Sequence, residues 1–457
     1  MMDPASPLYL GLVLTGAVLA LLLLIVRLKV PAFFSLMLIS ACAGLLLGVP
    51  PTDMAETIRA GMGSVLGFIA VVVGLGAMLG ALLERAGGVE AVAAALVRGK
   101  SAARLPWMMG LIGLIVAIPV FFDVALIILA PVLFRLAARA GRPLLFLAVP
   151  LLAGLGAAHA FIPPTPGPVA VAALMKADLG LVILFGALAG IPAAAVGGPL
   201  FAYVLFRDGR APAEGAEGFP EQPRADQAGP EPPKRRASLA AALVFILLPL
   251  VLIAGATVVD VAKLSGCAAE TMRFIGHPFT ALLIAVALSY AHARMRLGLD
   301  ARALNQAAAR ALEPAGAVIL VTGAGGVFKQ VLVDSGAGVR IAEAVADAGL
   351  PLLGFAFVIA AVIRIAQGSA TVAMITAAGL AAPVAQAVGA DAVETALAAV
   401  AVAAGATVLS HVNDSGFWLV SRYLGLTEMQ TLKSWTVAST LVGLTGFAVV
   451  LALGAVL

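Results

Sequence analysis

The chain has 457 residues, 62% of them hydrophobic and 11% charged, with a mean hydropathy of +1.10; soluble domains are nearer half apolar and a quarter charged, so this composition points to a polytopic, all-α membrane protein. The formal net charge of +4 is too small to suggest a nucleic-acid partner, and the positions of the Lys and Arg residues matter more than their sum. Cys42 and Cys267 offer neither a disulfide framework nor metal-ligand spacing, and they read as packing residues.

The N-terminus, MMDPASPLYLGL, has an acidic residue and no basic one before the first apolar run. That run ends at Arg27 and Lys29 without an A-x-A cleavage pattern, so a retained first span is expected. Spans of roughly 20 apolar residues are predicted near 8–26, 31–49 and 64–83, followed by GGVEAVAAALV, a weakly amphipathic piece suited to the interface. Next come 106–139, interrupted at IPVFFDV, then 143–175, interrupted at GAAHAFIPPTPGP from Gly156, and 179–205. The prolines of the second interruption remove backbone donors and forbid regular α geometry. Inside hydrocarbon, such backbone survives only where protein buries it or a water-filled cavity borders it. Residues 207–238 hold six acidic and six basic residues among Pro and Gly, a composition that cannot bury a core and reads as a linker. Spans are then predicted at 239–259, 277–292 and 315–333, with interrupted stretches at 352–389 and 393–421 and a last span at 434–457.

The second half repeats the first. GLGAMLGALLERAGGVEAVAAAL from Gly74 is similar to GAGGVFKQVLVDSGAGVRIAEAV from Gly323, an offset of 249, and His159 and His411 fall at corresponding breaks with an offset of 252. The Gly-x-Gly patterns at Gly74 and Gly323 read as close helix packing and not as nucleotide loops. If 106–139 and 352–389 are re-entrant hairpins while 143–175 and 393–421 cross completely, 21 Lys and Arg lie on the cytoplasmic side. The other side holds five, Arg59, Lys176, Lys263, Arg273 and Arg340, and Lys329 and Arg364 remain within the membrane. This asymmetry obeys the positive-inside rule. It makes 1–206 and 239–457 two inverted repeats, places both termini outside and the linker 207–238 in the cytoplasm, and matches a transporter plan in which broken helices meet near the midplane.

Four interruptions carry polar groups at membrane depth, where an unpaired charge is costly. Asp123 in IPVFFDV is a candidate for a coupling proton or a polar substrate group, with helix capping as the alternative. Asp414 in SHVNDSGFW is a second candidate, again with a cap as the alternative and Asn413 and Ser415 as capping neighbours. His159 and His411 suit proton exchange near neutral pH. They do not read as metal ligands, since no further His or Cys accompanies them, and no cofactor is expected. Arg364 offers a bidentate fork to a carboxylate, or else pairs with Asp123, Asp414 or carbonyls. Gln367, Ser369 and Thr371 around Gly368 read as donors and acceptors for hydroxyls. Lys329 enters the site, snorkels or pairs with Asp334. His277 and His292 read as interfacial.

FFDVALIILAP, HAFIPPTPGP, GGVFKQVLVDSG, RIAQGSATVAMITAAG and SHVNDSGFW followed by KSW together resemble the gluconate permease family, the gluconate:proton symporters of the ion transporter superfamily. The resemblance implies proton-coupled uptake of gluconate or a related small hydroxy-carboxylate across the cell inner membrane. It also implies re-entrant hairpins, a scaffold with an elevator-type transport domain in the lipid bilayer, and homodimers. Two positions depart from the family pattern: Thr165 stands where the proline motif commonly has His, and Asp123 where Glu is common. Another hydroxy or amino acid as substrate, and Na⁺ in place of protons, therefore stay open. A different class of function, an intramembrane enzyme using His159 or His411 with Asp123 or Asp414, lacks a nucleophile or metal. A channel would call for an open polar pore.

Overall fold

A computed structural model describes residues 7–206, 236–347 and 350–457; most of the predicted linker 207–238 lies outside the described residues. The apolar runs become helices because in a bilayer each backbone N–H and C=O must be paired within the chain. The first half contains α1 (Pro7–Leu22), α2 (Ala32–Leu46), α3 (Met54–Arg85), α4 (Gly88–Val97), α5 (Leu105–Val116), α6 (Phe122–Ala140), α7 (Leu144–Phe161), α8 (Pro166–Met175), α9 (Leu179–Ala195) and α10 (Phe201–Leu205). A π-helical turn at Leu23–Arg27 extends α1, and another at Val196–Leu200 joins α9 to α10. The second half contains α11 (Leu239–Val261), α12 (Cys267–Gly276), α13 (Pro278–Met295), α14 (Ala301–Asp334), α15 (Ala337–Asp347), α16 (Leu352–Gln367), α17 (Ala370–Ala387), α18 (Ala392–Gly405), α19 (Ser415–Tyr423), α20 (Glu428–Thr431) and α21 (Val437–Val456), the last two fused through Leu432–Thr436.

Among the described residues, eight helical runs are long and apolar enough to cross a membrane. α5, with 12 residues, is about 18 Å long, well short of the roughly 30 Å hydrocarbon core. The similar stretches from Gly74 and Gly323 take the same local form, a long helix, a turn at Gly87 or Gly336 with positive φ, and a short helix folded back. α3 and α14 run antiparallel: Gly61 lies on Gly326 and Val327, Gly323 on Met62 and Leu66, and Gly74 nearest Leu312. A side chain at Gly61 or Gly326 would meet the facing backbone, so these glycines set the separation of the two longest helices. α5 packs on α7 through Gly113 and Gly154, and α16 packs on α18 through Gly405. α17 touches α8, where Gly167 faces Met374, and α6 touches α19.

Several sequence expectations need correction. The span predicted at 64–83 lies inside a 32-residue helix, and that at 315–333 inside a 34-residue one, because polar ends continue helically past the apolar core; Asp300 caps α14 by accepting from Ala303 N at 3.1 Å. α12 was not anticipated, since CAAETMRFIG is too short and polar to register as a span; its Met272 and Gly276 pack on α11 at Gly255 and Leu252. Cys42 and Cys267 are exposed and not packed inside: in a bilayer, an apolar side chain can face outward. The ring of His292 lies against Phe245, 5.4 Å between centroids. His277 accepts from Phe279 N at 3.3 Å and so caps α13.

Candidate functional site

The interruption in the second hairpin is short. Only Gly368 and Ser369 separate α16 from α17, so Arg364 and Gln367 sit in the last turn of α16 and Thr371 in the first turn of α17. Gly368 has φ +91°, and a Cβ there would overlap the backbone carbonyl of Asn413, so glycine is required both by conformation and by space. Ser369 caps α17, its Oγ accepting from Val372 N at 3.4 Å. The facing break, 406–414, ends where Asp414 caps α19 by accepting from Gly416 N at 3.0 Å. Two helix N-termini and one C-terminus therefore converge. Free N–H groups at helix starts favour negative charge, and carbonyls at a helix end favour donors.

The donors come from the break. Asn413 Nδ2 donates to Ile365 O at 2.9 Å and to Ala366 O at 3.2 Å, and His411 Nε2 lies 2.8 Å from Ile365 O. Asn413 thus caps α16 from across the junction and not α19, the alternative to a substrate role that the sequence offered. Arg364 Nη2 donates to Asp414 Oδ2 at 2.5 Å, with both residues buried. Ser410 Oγ also donates to Asp414 Oδ2, and Trp435 Nε1 donates to Ser410 Oγ at 2.7 Å. The Ser410 backbone is held by Thr436 Oγ1 on its carbonyl and by Ser439 Oγ on its N–H. The fork of Arg364 is only partly used: Nε and Nη1 are buried with no partner among the described residues, as are both amide atoms of Gln367 and Oδ1 of Asn413. A buried polar group without a partner costs on the order of 1–3 kcal/mol, more for a charged group.

Asp123 is exposed in the first turn of α6, makes no side-chain hydrogen bond among the described residues, and caps nothing. Its helix packs on α19, the helix that Asp414 caps. Its neighbour Phe122 packs on Trp435 at 5.4 Å, and the far edge of the Trp435 ring reaches Gly156 of α7.

The first-half break, 162–165, is built differently. Pro163–Pro164 is cis, Thr165 Oγ1 donates to Ile162 O at 2.6 Å, and Gly76 of α3 lies against the carbonyl of Pro164, while Gly80, one turn on, meets the carbonyl of Pro119 in the neighbouring turn 118–121. His159, Pro164, Thr165 and Pro166 line a small cavity with Gly76 and the turn 118–121. His159 Nδ1 is buried there without a partner among the described residues.

The structure therefore gathers Arg364, Gln367, Ser369, His411, Asn413 and Asp414 at one junction, with Thr371 and Ser415 on its flanking first turns and Asp123 beside it. His159 and Thr165 lie at the other junction. Lys329 does not pair with Asp334, whose oxygens accept from Thr57 Oγ1 and Gln330 Nε2, each at 2.7 Å. Ser410 and Trp435 were missed as site residues. Both stand in motifs already visible, SHVNDSGFW and KSW, but nothing in their spacing says that an indole N–H meets that serine.

A helical membrane protein whose interrupted helices bury charged and amide groups against each other has the make-up of a transporter. The GntP family permease model matches residues 8–456. The chain is 42% identical over 442 residues to the low-affinity gluconate transporter of Escherichia coli K12, covering 96% of this chain and 97% of that protein. It is 38% identical to a gluconate permease of Pseudomonas aeruginosa, covering 96% of each, and 36% identical to the Gnt-II system L-idonate transporter of E. coli K12, covering 98% and 99%. The crystal structure of the Alcanivorax borkumensis YdaH transporter superposes with a TM-score of 0.65 at 16% identity, covering 93% of this chain and 98% of that one. The chain belongs to the GntP permease family, a multi-pass membrane transporter family.

Proposed function

We propose that this protein carries gluconate or a closely related small hydroxy-carboxylate into the cell, coupled to protons, with the junction of 364–369 and 410–415 as the binding site. The observation that carries this reading is the half-used guanidinium of Arg364. One nitrogen serves Asp414 while two others are buried and unpaired, beside an equally unpaired Gln367 amide and two helix N-termini. A carboxylate docked there completes the fork, and sugar-acid hydroxyls find Gln367, Asn413, Ser369, Thr371 and Ser415. Asp414 shares Arg364 with the incoming anion, so protonating Asp414 frees the arginine for substrate; Asp123, on the helix that packs against α19, and His411 are the other proton candidates here. His159, with Thr165 at the first-half junction, is the remaining one.

Support for inverted repeats 1–206 and 239–457 comes from α3 and α14, helices alike in sequence and antiparallel in space. The short α5 supports a re-entrant first hairpin. Lysine and arginine placement supports external termini and a cytoplasmic linker, and the family resemblance supports an elevator-type transport domain, a homodimer and the cell inner membrane.

The test is uptake of labelled gluconate into proteoliposomes, with the pH gradient imposed or collapsed and Na⁺ present or absent. Saturable uptake is expected to rise as the outer pH falls below the inner, without a Na⁺ requirement, and to fail in Asp414→Asn. A Na⁺ requirement would replace the proton reading. No uptake of gluconate or of any small hydroxy or amino acid by folded protein would overturn the transporter reading.

A further inference from the structure

Lys329 lies on α14 and is buried at 7% exposure, yet forms no ion pair or hydrogen bond among the described residues. Its position follows from packing. Gly325, one turn earlier on the same face, touches Leu174 of α8 and Ile375 of α17, so Lys329 sits one turn further along, toward the end of α8. That end is Lys176, an exposed residue with φ +57° two positions beyond Leu174. The nearby carboxylates are engaged elsewhere. Asp334 accepts from Thr57 and Gln330, and Asp178 accepts from Leu181 N at 2.8 Å and Thr257 Oγ1 at 3.0 Å. On α17, Thr376 next to Ile375 has a buried hydroxyl with no partner among the described residues. Two lysines brought close by this packing, with no acid ion-paired to either among the described residues, repel, and burying one of them is costly unless an anion joins them.

We propose that Lys329 and Lys176 form a second anion site, a vestibule for a small carboxylate at the end of α8 remote from the proline break. It rests on the reading that the cargo is a carboxylate. On the charge asymmetry, Lys176 faces outside, so the vestibule collects the anion before it reaches Arg364. Lys176 supplies the exposed charge that first attracts it, and Lys329 the buried one that holds it.

The experiment measures uptake kinetics in proteoliposomes for Lys329→Gln, Lys329→Arg and Lys176→Asn, the last keeping a residue that tolerates positive φ. Loss of one charge-assisted contact is expected to raise KM about tenfold with Vmax held, and Lys329→Arg to restore KM. Wild-type KM should rise with ionic strength, and Lys176→Asn should flatten that rise. Unchanged KM in Lys176→Asn and Lys329→Gln overturns the proposal, as does a Vmax loss in Lys329→Gln that Lys329→Arg does not repair. A second arm separates this site from the Arg364 site. In Arg364→Gln protein, or in the Arg364→Gln/Asp414→Asn pair if the single variant does not fold, gluconate, lactate and acetate are tested for a rise in melting temperature. A rise that disappears on adding Lys176→Asn and Lys329→Gln supports the vestibule even if uptake fails; no rise overturns it.

Discussion

The two breaks, 162–165 and 406–414, occupy corresponding places in the two halves and are stabilised by opposite means. The first is held by covalent restriction and close backbone approach: prolines that cannot donate, one local threonine bond, and Gly76 of α3 against the Pro164 carbonyl. The second is held by side chains, with Arg364, Asp414, Asn413, Ser410 and Trp435 bonded across three segments. Proline geometry cannot be rearranged by a ligand, whereas a charge pair can exchange partners. The first junction is thus a fixed wall and the second is the responsive one.

The comparison breaks most decisively at the ion pair. Arg364→Gln or Asp414→Asn alone strands a buried charge and is expected to cost about 3–5 kcal/mol and to reduce uptake below measurement. The double variant should recover most of the melting temperature and none of the uptake. Recovery of uptake in the double would make the pair a scaffold only. Next in size, Gly368→Ala forces a Cβ into the Asn413 carbonyl at positive φ and should cost about 1–3 kcal/mol, read as a lower melting temperature in detergent. Trp435→Phe keeps the contact with Phe122 but removes the N–H donated to Ser410, for about 1 kcal/mol and a severalfold rise in KM.

The smallest effect is expected at the fixed wall. Thr165→Val removes one short-range bond, about 1 kcal/mol or less, and should leave uptake within severalfold of wild type. Abolished uptake there, with Arg364→Gln tolerated, would reverse the assignment of wall and responsive site.

Much of this was legible in the sequence because a bilayer allows few backbone solutions. Polar residues and prolines inside apolar runs marked all four interruptions, and the cost of burial together with donor and acceptor chemistry singled out Arg364, Gln367, Asn413 and Asp414. Partners were harder to read. Pairing depends on which helix ends meet, and periodicity does not report that: Asn413 was read as a substrate ligand, or else a neighbour of the cap on its own helix, and it serves the carbonyls of α16. Helix ends were misplaced for a different reason, since hydropathy measures the apolar slab while α3 and α14 stay helical beyond it. Exposure of Cys42 was hidden because outward-facing and inward-facing apolar positions look alike when lipid is the solvent, and that of Cys267 because the short α12 that it opens was not seen.

The contact of α17 with α8, and of α6 with α19, has a consequence for how the chain is made. Each half contributes a hairpin arm that covers the broken helix of the other, so a ribosome that has delivered residues 1–206 has produced a segment whose α8 still lacks its cover. Until α17 emerges, α8 has its first-half neighbours α3, α7 and α9, but Gly167 has no Met374 to lie against. A nascent chain stalled between the halves should therefore be an object of quality control, and separately expressed halves should accumulate only when made together.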